Sequence, residues 1–127
     1  MSNLVLITSV INTPNKPLSY SKVRSVFTRE ERYEQTKKTI QSIKEKIPDC
    51  KLMIVECTDF TEEEKSYFEK ECDYVLNLWE RKEVHEHIFG PWKAMGEGTM
   101  MLEALEYIIE NKFNYDNLFE ITGRYWL

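Results

Sequence analysis

Leu4-Val5-Leu6-Ile7-Thr8-Ser9-Val10-Ile11 is the stretch on which the fold class turns. It is short, aliphatic and rich in β-branched residues, and it closes on the turn-forming Asn12-Thr13-Pro14-Asn15, so it reads as a strand buried on both faces. Residues 16–27 follow with Ser19, Tyr20, Ser21, Arg24 and Ser25 in no clean period, which predicts a long loop. Thr28 then opens a helix, with Glu31 three residues later completing a capping box. Tyr33, Thr36, Ile40, Ile43 and Ile47 recur at steps of three and four on one stripe of that helix, and Pro48-Asp49 ends it.

The same alternation continues outward. Lys51 to Glu56 predicts a second buried strand, and Thr61 with Glu64 a second capping box that starts a helix through about Lys70. Asp73 to Trp79 predicts a third strand. Glu80 to Gly98 holds both histidines, Pro91 and three of the four glycines, and so predicts a second long connection. A helix from about Thr99 to Asn111 and a strand from Asn117 to Ile121 complete the order. Strands alternating with helices imply right-handed crossovers and a mostly parallel sheet. The expected class is α/β, a three-layer Rossmann-like arrangement of about four strands flanked by helices. Leu118 to Leu127 is apolar, so the chain is expected to stop on core.

Its 127 residues, with 42% hydrophobic, 31% charged and 13% aromatic side chains, fit one globular domain over 1–127 and exclude disordered and fibrous classes. Seventeen basic against 22 acidic residues give a net charge of −5, which argues against a nucleic-acid partner. Lys37, Lys38, Lys44 and Lys46 alternate with Glu34 and Glu45 as on a solvated helix face. Cys50, Cys57 and Cys72 form no C-x-x-C spacing and are expected to be reduced and mostly buried. No run approaches the ~20 apolar residues of a transmembrane segment, and no targeting signal is visible, so a cytoplasmic location is expected.

In an open parallel sheet, ligands sit beyond the carboxyl ends of the strands where strand order reverses. That rule selects Asn12 with residues 19–28, then residues 80–98, and Thr122-Gly123-Arg124. Gly90, Gly96 and Gly98 make neither a dinucleotide fingerprint nor a P-loop. A looser anion site remains open, with Lys93 as a point charge and Gly96 and Gly98 exposing amides near a helix start, beside the alternative that these residues only shape a loop. Glu83, His85, Glu86 and His87 present ligand types for a metal, but no third and fourth ligand complete a site, and a solvated acidic loop is favoured. Arg24 and Arg124 are candidates for phosphate clamps. Tyr20 and Tyr125 are candidates for stacking, with plain packing the commoner role.

Ser21-x-x-Arg24-Ser25-x-Phe27-Thr28-x-x-Glu31-Arg32-x-x-Gln35-Thr36, then Lys93-x-x-Gly96-Glu97, then Phe119-x-Ile121-Thr122-Gly123-Arg124-Tyr125 resemble glycosyltransferases of the GT-A type, in a poorly characterised viral and bacterial branch. The resemblance spans essentially the whole chain and corresponds to the N-terminal, nucleotide-binding half of such an enzyme. It implies a nucleotide-diphosphate sugar as donor, with Ser9, Asn12 and Arg24 near base and ribose and Lys93 with Gly96 near the donor. Where the family carries a metal-binding Asp-x-Asp, this chain has Thr122-Gly123-Arg124. That departure leaves divalent-metal dependence open and raises the hypothesis that Arg124 neutralises part of the diphosphate charge. The family's acceptor site and catalytic base lie beyond the fourth strand, so no residue here is assigned as that base. The alternative is a non-catalytic flavodoxin-like binding or interaction module. An unpaired sheet edge would favour a homo-oligomer.

Overall fold

The structure, a computed structural model, describes residues 3–13, 27–91 and 93–122, with Lys93 and Ala94 described by backbone alone. Its elements run β1 (Asn3–Thr8), α1 (Arg29–Lys46), β2 (Cys50–Glu56), α2 (Glu62–Glu71), β3 (Tyr74–Asn77), α3 (Lys82–Ile88), α4 (Lys93–Glu110) and β4 (Asn117–Thr122). The four strands form one sheet in the order β3-β2-β1-β4, and every pairing is parallel. This is the α/β, Rossmann-like architecture expected from the alternation of strands and helices.

Alternation along β1 sorts the two cores. Val5 and Ile7 point into one cluster with Tyr33, Ile40 and Ile43 of α1 and Phe68 of α2. Leu4 and Leu6 point into the other, with Ile88 of α3 and Met100 and Ala104 of α4. Successive side chains of a strand face opposite ways, so the unbroken apolar run from Leu4 to Ile7 needs a helical layer on each side.

Both capping boxes form. The Thr28 and Thr61 hydroxyls accept from the amides of Glu31 and Glu64, whose carboxylates accept in return from the cap amides. An N-cap of this kind stabilises a helix by about 1 kcal/mol. Tyr33 meets Tyr67 and Phe68 edge-on at ring separations of 5.8 and 5.9 Å, locking α1 to α2. Lys37 pairs with Glu34 and Lys44 with Glu71, as expected of a solvated helix face. All three cysteines are free, with Cys57 and Cys72 buried. Among the described residues no helix is long and apolar enough to cross a membrane.

Two expectations are corrected. The connection over residues 80–98 is mostly helical: it contains α3 and the first turn and a half of α4. Gly96 lies inside α4, buried, where a Cβ would stand 2.6 Å from the Ile88 carbonyl oxygen. A close approach between two helices therefore accounts for a glycine that looks like loop chemistry in the sequence. The second correction concerns Leu118 and Phe119 of the apolar ending, whose residues 123–127 lie outside the described residues. Leu118 and Phe119 are 44% and 46% exposed, because β4 is an edge strand rather than a central one.

Candidate functional site

The chain steps from β1 to β2 to β3 in one direction and then places β4 on the other side of β1. Strand order thus reverses between β1 and β4, whose last residues Thr8 and Thr122 are register neighbours. The Thr8 hydroxyl donates to Glu120 Oε1 at 2.9 Å. Thr122 Oγ1 is buried and has no hydrogen-bond partner among the described residues. Both residues stand at the carboxyl end of the sheet, where strand order reverses.

The segment after β1 is laid across the end of β2. Ser9 donates its amide to the Val55 carbonyl at 3.0 Å, and its hydroxyl lies 3.2 Å from that of Thr36. Asn12 donates its amide to Thr58 Oγ1 at 3.4 Å and its side-chain nitrogen to Asp59 Oδ1 at 3.0 Å. Arg32 Nε holds the Val10 carbonyl at 2.6 Å. Both sequence-derived candidates on this segment therefore sit at the carboxyl edge of the sheet, and both have polar partners within the fold.

At the centre of this edge is Glu56, the last residue of β2 and fully buried. Its Oε1 accepts from the Thr58 hydroxyl at 2.8 Å and from the amides of Ile11 and Cys57, each at 3.3 Å. Its Oε2 has no partner among the described residues. Burial pushes its carboxyl above the usual range, while the hydrogen bonds from Thr58, Ile11 and Cys57 oppose the shift without cancelling it. Asn77 at the end of β3 extends the network: its Oδ1 accepts from the Thr58 amide at 3.2 Å and its Nδ2 donates to the Thr58 carbonyl at 2.8 Å. Sequence reasoning took Glu56 for the end of a buried strand. The signal was present, since a charged residue there stands at a strand carboxyl end.

Arg29 is held by acids of the fold. It binds Glu64 through Nε at 3.0 Å and a terminal nitrogen at 2.6 Å, and reaches the Asp59 carbonyl at 2.8 Å. Burial alone would raise the Glu64 carboxyl, but the hydrogen bonds from Arg29 and Thr61 bring it below the ordinary value. Arg24 and Arg124 lie outside the described residues, as do Tyr20 and Tyr125. Lys93 begins α4, and its side chain is not described. The structure therefore brings Ser9 and Asn12 together at one edge. It puts Gly96 in the α3–α4 contact.

The histidine cluster falls on α3, where residues two apart diverge around the helix instead of sharing a face. The His85 ring packs 4.3 Å from Trp79 and 4.8 Å from Phe89, and its Nδ1 is 3.2 Å from the Trp79 carbonyl. Among the described residues no group of three or more His, Cys, Asp or Glu is placed to hold a metal ion. Among the described residues near the end of β4, Glu120 is bound by Thr8, Glu56 is buried beneath the edge and Asp59 is bound by Asn12 and Arg29, so these carboxylates do not converge on a divalent cation. Burial pushes the Cys57 and Cys72 thiols up to about 12, so neither is a nucleophile at neutral pH. A cavity of about 400 Å³ opens at the opposite, amino edge of β2 beside Cys50 and Leu52, where Lys44 is already paired with Glu71.

No family model, no curated protein and no solved structure matches this chain.

Proposed function

We propose that the chain is the donor-binding domain of a glycosyltransferase, taking a nucleotide-diphosphate sugar at the crevice between the carboxyl ends of β1 and β4. The reversal of strand order at that point is the observation that carries this reading, since parallel sheets present loop amides and polar side chains to ligands there. Thr122 supports it with a buried hydroxyl that lacks a partner among the described residues. Arg124 follows two residues later in the sequence, and a guanidinium is the side chain suited to clamp a diphosphate bidentately.

In such a transferase, an acceptor hydroxyl would displace the diphosphate at the anomeric carbon of the sugar. This domain would hold the donor and stabilise charge on the departing diphosphate through fixed donors. Since no metal-holding cluster occurs among the described residues, Arg124 is the group proposed to neutralise that charge. A second reading, a non-catalytic interaction module, is favoured by the exposed Leu118 and Phe119 on the edge strand.

Titration calorimetry with uridine, guanosine and thymidine diphosphates separates the two. One of the three is expected to bind at millimolar affinity or better. Arg124→Ala is expected to weaken it about tenfold or more, as loss of a charge-assisted pair does, and a chelator is expected to leave it unchanged. No binding by a folded chain would favour the interaction module, and binding abolished by chelator but not by Arg124→Ala would overturn the arginine's role.

A further inference from the structure

Helix α4 is apolar on two sides. Met100 and Ala104 are buried against the sheet, with Met101, Tyr107 and Ile108 packed beside them. On the outer side Met95, Leu102, Leu105 and Ile109 are 50%, 57%, 37% and 74% exposed. Together with Gly98 they occupy positions 95, 98, 102, 105 and 109, alternating steps of three and four. That is the spacing of a heptad seam, a narrow stripe that packs against one other helix.

Gly98 is an independent observation. Glycine weakens a helix interior relative to alanine, so its presence in α4 calls for a neighbour. For Gly96 that neighbour is the Ile88 carbonyl. For Gly98 an added Cβ meets nothing within 4 Å among the described residues. The described part of this chain therefore has no use for a glycine there, whereas a helix approaching from outside does, because the missing side chain leaves a hole in the seam.

We propose that the outer seam of α4 is a self-association surface, on which a second copy of the chain lays its own α4 antiparallel about a two-fold axis. A seam made of one hole and several knobs is self-complementary in that orientation. Pairing each first heptad position with the fourth position of the opposite helix sets Gly98 across from Ile109 of the second copy, and Leu102 across from Leu105. The most exposed side chain of the seam thus enters its only hole, and the symmetry makes the contact twice. The four large side chains expose on the order of 400 Å² of apolar surface per copy, within the range of a functional patch. Two copies with their flanking atoms would bury on the order of 1,000 Å², the lower bound for a specific interface. An interface at that lower bound is expected to associate weakly, so the dimer depends on concentration.

Sedimentation of the full chain from about 1 μM to about 1 mM tests this. The mass is expected to rise from monomer to dimer, and Leu102→Glu, an exposed change that keeps the circular dichroism of the fold, to remain a monomer. Gly98→Ile and Ile109→Ala are each expected to weaken the dimer about tenfold. Combined, they should return it close to the parent, because the knob and the hole have exchanged places. A parent that stays monomeric, a Leu102→Glu variant that dimerises like the parent, or a double variant weakened by the product of the two single effects would each overturn the proposal.

Discussion

Gly96→Ala is expected to destabilise the fold by about 2 kcal/mol, while Gly98→Ala, only two residues away, is expected to stabilise the dilute chain by about 0.5–1 kcal/mol. The same substitution acts oppositely because of what surrounds the added methyl group. At Gly96 the new Cβ would lie 2.6 Å from the Ile88 carbonyl oxygen and 3.3 Å from its carbon, so backbone and not a flexible side chain must move. α3 would be pushed off α4, loosening Ile88 and Phe89 in the core cluster beneath. At Gly98 the space is open, and only the gain in helix propensity remains. Urea unfolding at low protein concentration checks both. Equal effects at the two positions would contradict the α3–α4 contact.

The second large effect belongs to Glu56. Glu56→Ala would leave the Ile11 and Cys57 amides and the Thr58 hydroxyl without their acceptor in a buried setting, at an expected cost of about 3 kcal/mol. The Glu56→Gln variant isolates the charge. Because burial raises the native carboxyl above its ordinary value of 4.5, the native state keeps its proton at pH values where the unfolded chain has lost it. The stabilising contribution is therefore complete below about 4.5 and declines as pH rises through the native value, by up to about 1.4 kcal/mol per pH unit. Parent minus Glu56→Gln stability, measured by urea titration from pH 4 to pH 8, should fall once pH passes about 4.5 and level off above the native value. A difference that stays flat would mean the buried carboxyl is ionised throughout.

Local signals were legible in the sequence, and non-local ones were not. Thr28 with Glu31 and Thr61 with Glu64 announce their helices because a capping box is complete within four residues. The aliphatic run of β1 announces its central place for a similar reason, since every position is apolar. By contrast, Gly96 resembles a loop residue until Ile88, eight residues earlier, is brought against the helix. Leu118 and Phe119 resemble core until strand order puts β4 at an edge. The carboxyl-end rule selected Asn12 and the family resemblance Ser9, and both lie at the carboxyl edge of the sheet. Glu56 escaped notice because its acceptor role depends on Ile11, 45 residues away.

The most direct measurement is the amide spectrum of the labelled chain with and without uridine, guanosine or thymidine diphosphate. If the crevice between β1 and β4 binds the donor, shifts will concentrate on Thr8, Ser9, Ile121 and Thr122 and leave the amino edge at Cys50 and Leu52 unmoved. Shifts confined to that opposite edge, or none at millimolar ligand, would contradict the assignment.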